Sequence, residues 1–389
     1  MKNQIVIVGG GMVGAATAVK LAKQGHKITL IEHHAVILND DNSDKIPDIR
    51  VSALNRFSEK LLDELGAMPI LREGRTAPYS RLSVCESLDS NLEFKASDIG
   101  ETHLGHILEN NLIQASLWQQ FSALDINVID DAGKLKNIIQ GKTTEDKITI
   151  AFENITLEAD LIVAADGGQS QCRKLAGIGS TGWQYQQSCM GLLIKLDAPQ
   201  QDITWQQFQP TGPVAFLPLQ APYASLVWYN HTQTLAEFNK LTEQQLKDKV
   251  LATFPELPGD FEIVKQAVFP LTRSHANNYY KGRLVLVGDS AHTINPLAGQ
   301  GVNLGFKDVS ALADVLDNID DVGCTKLLSQ YENKRRNANL LMMSVMDGCY
   351  GIFSNDIKPL KMLRQLGLKV AKNSGPLKNQ ILKYAIGGT

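Results

Sequence analysis

The sequence is poor in most features that would place it at once. Its five cysteines (Cys85, Cys172, Cys189, Cys324 and Cys349) are scattered, odd in number and contain no C-x-x-C pair. That argues against a disulfide framework and against a cysteine-held zinc or iron–sulfur centre, and it fits a reducing, cytosolic setting. The eight histidines include no H-x-x-x-H pair, so no metal site is expected. Aromatic residues are only 6%, too few to suggest a lectin-like or base-stacking surface. Basic residues do not exceed acidic ones, 38 against 41 for a net charge of −3, which speaks against a nucleic-acid partner. No apolar run approaches the ~18 residues of a membrane-spanning helix. No basic leader with a cleavage site precedes the first strand-like run, so no secretory signal is expected.

What is present is a folded chain of two or three domains: 389 residues, 43% hydrophobic and 20% charged. It opens strand, glycine turn, helix, strand. The strand-like run is Ile5 to Val8, the turn Gly9-Gly10-Gly11-Met12-Val13-Gly14, the helix Ala15 to Gln24 with Gly25 as its stop, and the second strand Lys27 to Ile31, closed by Glu32. Ser58 to Leu65 and Glu109 to Phe121 read as helices, and Arg81 to Phe94 alternates like a hairpin. Further strands are expected at Ile126 to Ile129, Leu135 to Ile139, Ile148 to Phe152 and Leu161 to Ala164. Between about 183 and 270, strand-like runs at Met190 to Leu196, Val214 to Leu217 and Ala224 to Tyr229 alternate with turns. One helix near Thr242 to Phe254 interrupts them, as in an antiparallel sheet with a covering helix. Leu284 to Val287 returns to a buried parallel-type strand, and a helical C-terminal third follows.

The glycine turn is the first chemical signal. Gly9, Gly11 and Gly14 form G-x-G-x-x-G between a strand and a helix. Gly9 permits the tight turn, Gly11 the close approach of a pyrophosphate, and Gly14 the packing of helix on strand. The helix N-terminus offers free N–H donors to phosphates. Glu32, 18 residues after Gly14, stands where a carboxylate can accept ribose hydroxyls. The spacing alone does not separate FAD from NAD. The expected fold is α/β: a discontinuous Rossmann-like dinucleotide domain of the glutathione-reductase type, with an inserted antiparallel-sheet substrate domain and a helical C-terminus. Its expected parts are 1–182 (with a small strand insertion near 70–105), the insert at 183–270, the second part of the dinucleotide domain at 271–318, and the helical region at 319–389.

Two later segments add to this. Ala165-Asp166-Gly167-Gly168-Gln169-Ser170-Gln171-Cys172-Arg173 follows a buried strand, with Ser170 placed to cap the next helix. Gly288-Asp289-Ser290-Ala291-His292-Thr293-Ile294-Asn295-Pro296-Leu297-Ala298-Gly299-Gln300-Gly301-Val302-Asn303 follows the strand Leu284 to Val287. Asp289 sits at that strand's carboxyl end, and Gly299 to Gly301 opens a helix whose N–H groups suit a site of growing negative charge. At the C-terminus, Lys358, Lys361, Arg364, Lys369, Lys372, Lys378 and Lys383 stand among leucines with no acidic residue from Ile357 onward. Two readings compete: a basic amphipathic tail on anionic lipid, or a helix pair docked on the core with a solvated basic face.

Taken in this order, the three segments resemble the fingerprints of the single-component FAD-dependent aromatic hydroxylases. Within them, the chain is similar to the ubiquinone-biosynthesis hydroxylases through Arg50-Val51-Ser52-Ala53-Leu54, Glu109-Asn110, Pro270-Leu271 and the Asn295 to Gly305 run. Trp183-Gln184-Tyr185, Gln187-Ser188-Cys189-Met190, Trp205-Gln206-Gln207-Phe208, Ser225-Leu226-Val227-Trp228-Tyr229 and Phe269-Pro270-Leu271-Thr272-Arg273 point to the branch acting on 3-demethoxyubiquinol. The resemblance implies FAD as cofactor. Gly9, Gly11, Met12, Val13, Gly14 and Glu32 would hold its ADP half, with Leu135 near the adenine. Arg50 and Val51 would lie near the flavin, and Asp166 in the Asp-Gly segment. Asp289 would meet the ribityl chain, and Pro296, Gly299, Gln300, Gly301, Val302 and Asn303 the ring. Many relatives carry an arginine after Asn110, where this chain has Asn111, which puts one phosphate contact in doubt.

The implied reaction is ring hydroxylation of a polyprenyl quinol or phenol with O₂ through a flavin hydroperoxide. NAD(P)H visits transiently, since only one dinucleotide fingerprint is present. A base that deprotonates the phenol is desirable; His275 and Tyr229 are the candidates, and Arg50 is the expected catalytic cation. His292 reads as a structural histidine beside Asp289, and Arg273 as either a substrate contact or an ion-pair partner. Phe216, Trp228 and Tyr229, with Leu217 and Leu219, are candidates for an apolar substrate cavity; the competing reading is ordinary strand core. A cytoplasmic location is expected, with peripheral contact at the inner membrane and membership of a biosynthetic enzyme assembly as alternatives. Rival functions are hydroxylation at another ring position or of another aromatic substrate, and a non-catalytic FAD-binding scaffold.

Overall fold

The computed structural model describes residues 3–34, 46–86, 91–143, 146–294, 300–353, 375–385 and 387. Its first unit is a six-stranded sheet ordered Tyr280–Lys281, Leu284–Leu286, Leu161–Ala164, Gln4–Val8, Lys27–Ile31, Asn127–Ile129. All neighbours pair in parallel except the short edge strand Tyr280–Lys281. The central strands are apolar runs with both faces covered, as parallel strands must be. Ile5, Val6, Ile7, Leu161, Ile162, Val163 and Leu284 are fully buried. The helix Met12–Lys23 packs its alanines on this sheet, and Gly25, in the left-handed region at φ +91°, ends it.

The largest sheet has eight strands, ordered His292–Thr293, Phe261–Ala276, Ser180–Leu196, Tyr223–His231, Val214–Pro218, Ile203–Gln207, Arg81–Cys85, Leu92–Lys95. Two strands of 17 and 16 residues, Ser180–Leu196 and Phe261–Ala276, form its spine. They run past the sequence-based limits of 183 and 270, so that His275 pairs with His292 of the Gly-Asp segment. The hairpin expected as a small insertion of the first part is here the edge of this sheet. Arg81–Cys85 joins Ile203–Gln207 in parallel, a pairing that only a long connection permits.

The two faces of this sheet differ. Met190, Leu192, Phe216, Leu226 and Trp228 point to one face, under the helices Thr232–Phe238 and Glu243–Thr253, where Leu235, Leu246 and Val250 meet them. The second helix carries a capping box made by Thr242 and Gln245; the first has no such signal and was not legible. Cys189, Gly191, Val227 and Tyr229, offset by one residue, lie on the opposite face.

A three-stranded sheet, Val51–Asn55, Gly105–Glu109 and Ala77–Tyr79, stands between the two larger ones. The helix expected from Glu109 starts at Asn110, because Glu109 still has extended backbone at the end of its strand. Helices Gln300–Leu316, Thr325–Phe353 and Pro376–Ala385 complete the described chain. The last docks through Leu382, which is buried, and through Lys378, paired with Asp98 at 3.2 Å and lying over the Phe94 ring. Lys358, Lys361, Arg364, Lys369 and Lys372 lie outside the described residues. Among the described residues, no helix is long and apolar enough to cross a membrane.

Candidate active site

Three loops meet at the carboxyl ends of the parallel strands. In the glycine turn, Gly9 has φ +100°, and a Cβ there would lie 2.4 Å from the Ala165 carbonyl oxygen. A Cβ on Gly14 would lie 1.9 Å from the Gly9 oxygen. Both positions exclude any side chain. At Gly11 an added Cβ would meet nothing within 4 Å, and no side chain caps the helix that begins there. The turn thus presents bare helix N–H groups to open space. Glu32 fixes it from the next strand, accepting the Gly10 N–H at 2.7 Å and the His34 N–H at 3.1 Å. Gln114 and Trp118 both donate to the Gly10 carbonyl at 2.8 Å. The glycine pattern gave no hint of these two clamps.

In the Asp-Gly segment the carboxylate is used locally. Asp166 accepts the Ser170 hydroxyl at 2.5 Å and the Cys172 N–H at 3.0 Å, while Ser170 caps the short helix by accepting the Arg173 N–H. The open member is Gly167, with φ +77° and no neighbour within 4 Å of an added Cβ. Arg173, the last residue of this segment, to which the sequence alone assigns no role, binds this loop to the next. Its guanidinium donates to the Ser290 carbonyl at 2.6 Å and the Gly168 carbonyl at 3.0 Å.

The Gly-Asp segment turns at Gly288, φ +60°. Val13 fills the space where Cβ atoms on Gly288 and Gly305 would fall, so the first and third loops are in contact. Asp289 has its side chain open to solvent, yet protein surrounds it closely enough that burial raises its carboxyl pKa, with a further push from Asp308. That is the environment of a recess wall. Behind it, Asp308 is fully buried. It accepts from the Gly288 N–H (3.1 Å), His292 Nε2 (2.5 Å), Arg335 Nε (2.7 Å) and Asn339 Nδ2 (3.1 Å). Burial alone would raise this carboxyl, but the His292 and Arg335 charges hold it down at about 2. His292 is therefore structural, with Asp308 and not Asp289 as its partner.

Other expected site residues fall apart or together as follows. Met12 and Val302 are half-buried against the parallel-sheet core. Leu135 opens an antiparallel three-stranded sheet and packs on the same core. Gly301 lies in the first turn of the helix that begins at Gln300; Pro296 and Gly299 lie outside the described residues, as does the side chain of Gln300. Asn303, expected at the flavin, has a buried side chain that instead ties its helix to the Val51–Asn55 strand. It accepts from the Asn55 N–H and Ser58 hydroxyl and donates to the Ala53 carbonyl. Val51 heads that strand, and Arg50 precedes it with its guanidinium over the Phe269 ring at 5.0 Å.

Among the substrate candidates, strand alternation separates neighbours. Phe216 and Trp228 lie in the closed core under the covering helices, Trp228 between Phe238 (5.0 Å) and Phe254 (5.4 Å). Phe216 also borders a small recess at the end of its strand with Pro218 and Leu219, away from the face that Arg50 meets. Tyr229 is on the other face with Cys189, Leu271 and Val227, the face met by Arg50 and Ile49. His275 is 5% exposed and bonded to the Tyr279 hydroxyl at 3.2 Å. Burial, aided by the Arg336 charge, lowers its pKa to about 4. It is a neutral histidine inside the frame and not one on an open face. Arg273 is an ion-pair partner of Asp347 at 2.6 Å and stacks on Trp183. Glu59, His103 and His106 bring possible ligand atoms within 4.8 Å of one another, but Arg56 and Arg72 already occupy the Glu59 carboxylate.

The open glycine at the helix start, the bare N–H groups and the recessed Asp289 fit FAD: anionic phosphates against a helix N-terminus and hydroxyls against a carboxylate. Comparisons with known proteins agree. Residues 2–344 match the FAD binding domain family. The chain is 40% identical to 3-demethoxyubiquinol 3-hydroxylase of Escherichia coli, over 99% of this chain and 98% of that one. It is 32% identical to the mitochondrial ubiquinone biosynthesis monooxygenase COQ6 of Danio rerio, over 98% and 89%. In fold it resembles p-nitrophenol 4-monooxygenase PnpA of Pseudomonas putida, with a TM-score of 0.81 at 18% identity, covering 100% of this chain and 98% of that one. The chain belongs to the FAD-dependent monooxygenases of the ubiquinone-biosynthesis hydroxylase family.

Proposed function

We propose that this enzyme hydroxylates the ring of 3-demethoxyubiquinol. The observation that carries the reading is the 40% identity to a hydroxylase of that name along the whole of both chains. The overall change balances as quinol C–H + O₂ + NAD(P)H + H⁺ → quinol C–OH + H₂O + NAD(P)⁺. FAD, when bound, supplies the redox chemistry, taking electrons from NAD(P)H and passing them to O₂.

The protein's part is to bind, orient and exclude water. The Gly9–Gly14 turn and the helix behind it would hold the phosphates, Glu32 the adenosine ribose, and Asp289 the ribityl hydroxyls. The start of the helix Gln300–Leu316 would favour negative charge on a bound flavin. The quinol ring lies on the inner face of the large sheet, among Val227, Tyr229, Phe269 and Leu271, with Arg50 at its edge. Tyr229 is the better of the two base candidates, because it lies on that face while His275 is held in the frame. The prenyl tail brings the enzyme to a membrane surface. The basic residues from Lys358 to Lys372 suit anionic lipid, in a cytoplasmic protein that works beside other enzymes of the pathway.

The test is a lipid extract of a deletion strain, with quinones identified by mass spectrometry. Demethoxyubiquinone should accumulate and should be cleared by the wild-type gene, but not by Gly11→Trp or Asp289→Ala. Accumulation of a less hydroxylated prenylphenol would move the reaction to another ring position. Unchanged ubiquinone in the deletion strain would refute the assignment.

A further inference from the structure

The segment 46–50 crosses the seam between the three-stranded sheet and the large one, and it is gripped from both sides. On the first side stands Glu109, 3% exposed. It accepts the Asp48 N–H at 2.6 Å and is ion-paired with Arg75 at 3.0 Å. The next residue, Asn110, donates its backbone N–H to the Arg50 carbonyl at 3.0 Å and accepts the Ser52 hydroxyl at 2.6 Å. On the other side Lys265, from the spine strand Phe261–Ala276, donates to the Pro47 carbonyl at 3.0 Å. Between these grips two side chains reach the inner face of the large sheet. A Cβ added at Gly191 would lie 3.5 Å from Ile49 and 3.6 Å from Phe269, and Arg50 lies over the same Phe269 ring.

A buried carboxylate is a costly way to hold a surface loop, since a local turn would do it without desolvating a charge. What Glu109 adds is register across 61 residues of sequence: it fixes where Ile49 and Arg50 stand relative to Gly191 and Phe269. We propose that Glu109 is a positioning residue for the ring-binding face. With Asn110 and Lys265 it clasps the 46–50 segment so that Ile49 and Arg50 wall that face. That this face receives the quinol rests on the function proposed above; the clasp itself does not.

Two readouts test it. The first is hydrogen exchange by mass spectrometry on the FAD-free chain. Glu109→Ala should speed exchange at Asp48 to Ser52 about tenfold or more, while the strand Gln4–Val8 keeps its protection. The second is turnover of the FAD-loaded enzyme. KM for the quinol should rise about tenfold and the yield of hydroxylated product per NAD(P)H should fall, with FAD bound at wild-type stoichiometry. Glu109→Gln, which keeps an acceptor oxygen, should recover part of both. Should Glu109→Ala lose protection throughout, Glu109→Gln and Lys265→Met must still loosen Asp48 to Ser52 selectively, or the clasp is refuted. Unchanged exchange at these amides refutes it as well. A loosened segment with unchanged KM and coupling refutes the positioning role. A wild-type enzyme that binds FAD but hydroxylates no prenyl quinol overturns the proposed function, and the exchange data still decide the clasp.

Discussion

Asp289 and Asp308 come from the same stretch of chain and stand on the two sides of one turn, yet their surroundings are opposite. Asp308 is sealed and accepts from four partners, and the charges beside it hold its carboxyl down at about 2. Asp289 opens into the recess, and burial raises its pKa with too little opposing charge to offset it. The first carboxylate is satisfied by the protein and builds the frame. The second is left free of protein hydrogen bonds among the described residues and faces solvent, where a ligand hydroxyl could reach it. Trp228 and Tyr229 repeat the contrast at adjacent positions, one in the closed core under the helices and one on the inner face.

The contrast is broken most severely at Asp308. Asp308→Ala would strand the Arg335 and His292 side chains in a dry interior and free the Gly288 turn. Losing one partner of such a buried set costs about 3–5 kcal/mol. Urea denaturation of the FAD-free protein should show that loss, and FAD affinity should fall with it because the turn carries Asp289. Next in size is Trp228→Ala, which opens a cavity between Phe238 and Phe254. It should cost about 3 kcal/mol and leave KM for the quinol within about twofold in whatever enzyme stays folded. A large rise in KM would mean that the covered face of the sheet is the one that meets substrate.

Acid sharpens the same distinction. His275 and His106, whose pKa values burial lowers to about 4, charge more readily in the unfolded chain. Stability held above pH ~6.5 is therefore lost as pH falls toward 4. Asp308 and Glu59 are depressed carboxylates. For Glu59, burial opposes the shift, but the His103 hydrogen bond and the neighbouring histidine and Arg56 charges hold it at about 2. Their contribution is present above pH ~4 and is lost between there and 2. Unfolding midpoints measured from pH 7 to 3 should fall throughout, and Asp308→Asn should flatten the part below pH 4. A midpoint independent of pH over this range would contradict the frame as described.

How much of this was legible beforehand follows from the range of the interactions. Leu135–Ile139, Ile148–Phe152 and Leu161–Ala164 could be read to the residue, because burial and β-branching are local signals. Val51–Asn55 pairs with Gly105–Glu109 across some fifty residues, and nothing local in either marks that pairing. Period two separates the neighbours Trp228 and Tyr229, both substrate candidates, but it does not tell which face the helices cover. Motif membership marked Asp166 and Asn303 as candidates. It could not tell that their side chains turn inward to cap a helix and to tie two elements together. The clamps Arg173, Gln114 and Trp118 bind backbone carbonyls, a function that almost any donor could fill and that leaves no pattern in sequence.

The smallest expected change in stability is also the one that separates frame from recess most cleanly. Asp289→Asn removes a charge whose folded-state pKa is raised, so the ionised form is the one that folding disfavours. Such a group takes stability away as pH rises through its unfolded value toward the folded one. At neutral pH the FAD-free variant should therefore unfold at the same temperature as wild type or slightly higher. FAD binding should weaken by about tenfold or more, since an amide accepts ligand hydroxyls less strongly than a carboxylate. Scanning calorimetry without FAD and fluorescence titration with FAD give the two numbers independently. Equal losses in both would make Asp289 another frame residue. A loss in affinity alone, at undiminished stability, is what a carboxylate kept for a ligand must show.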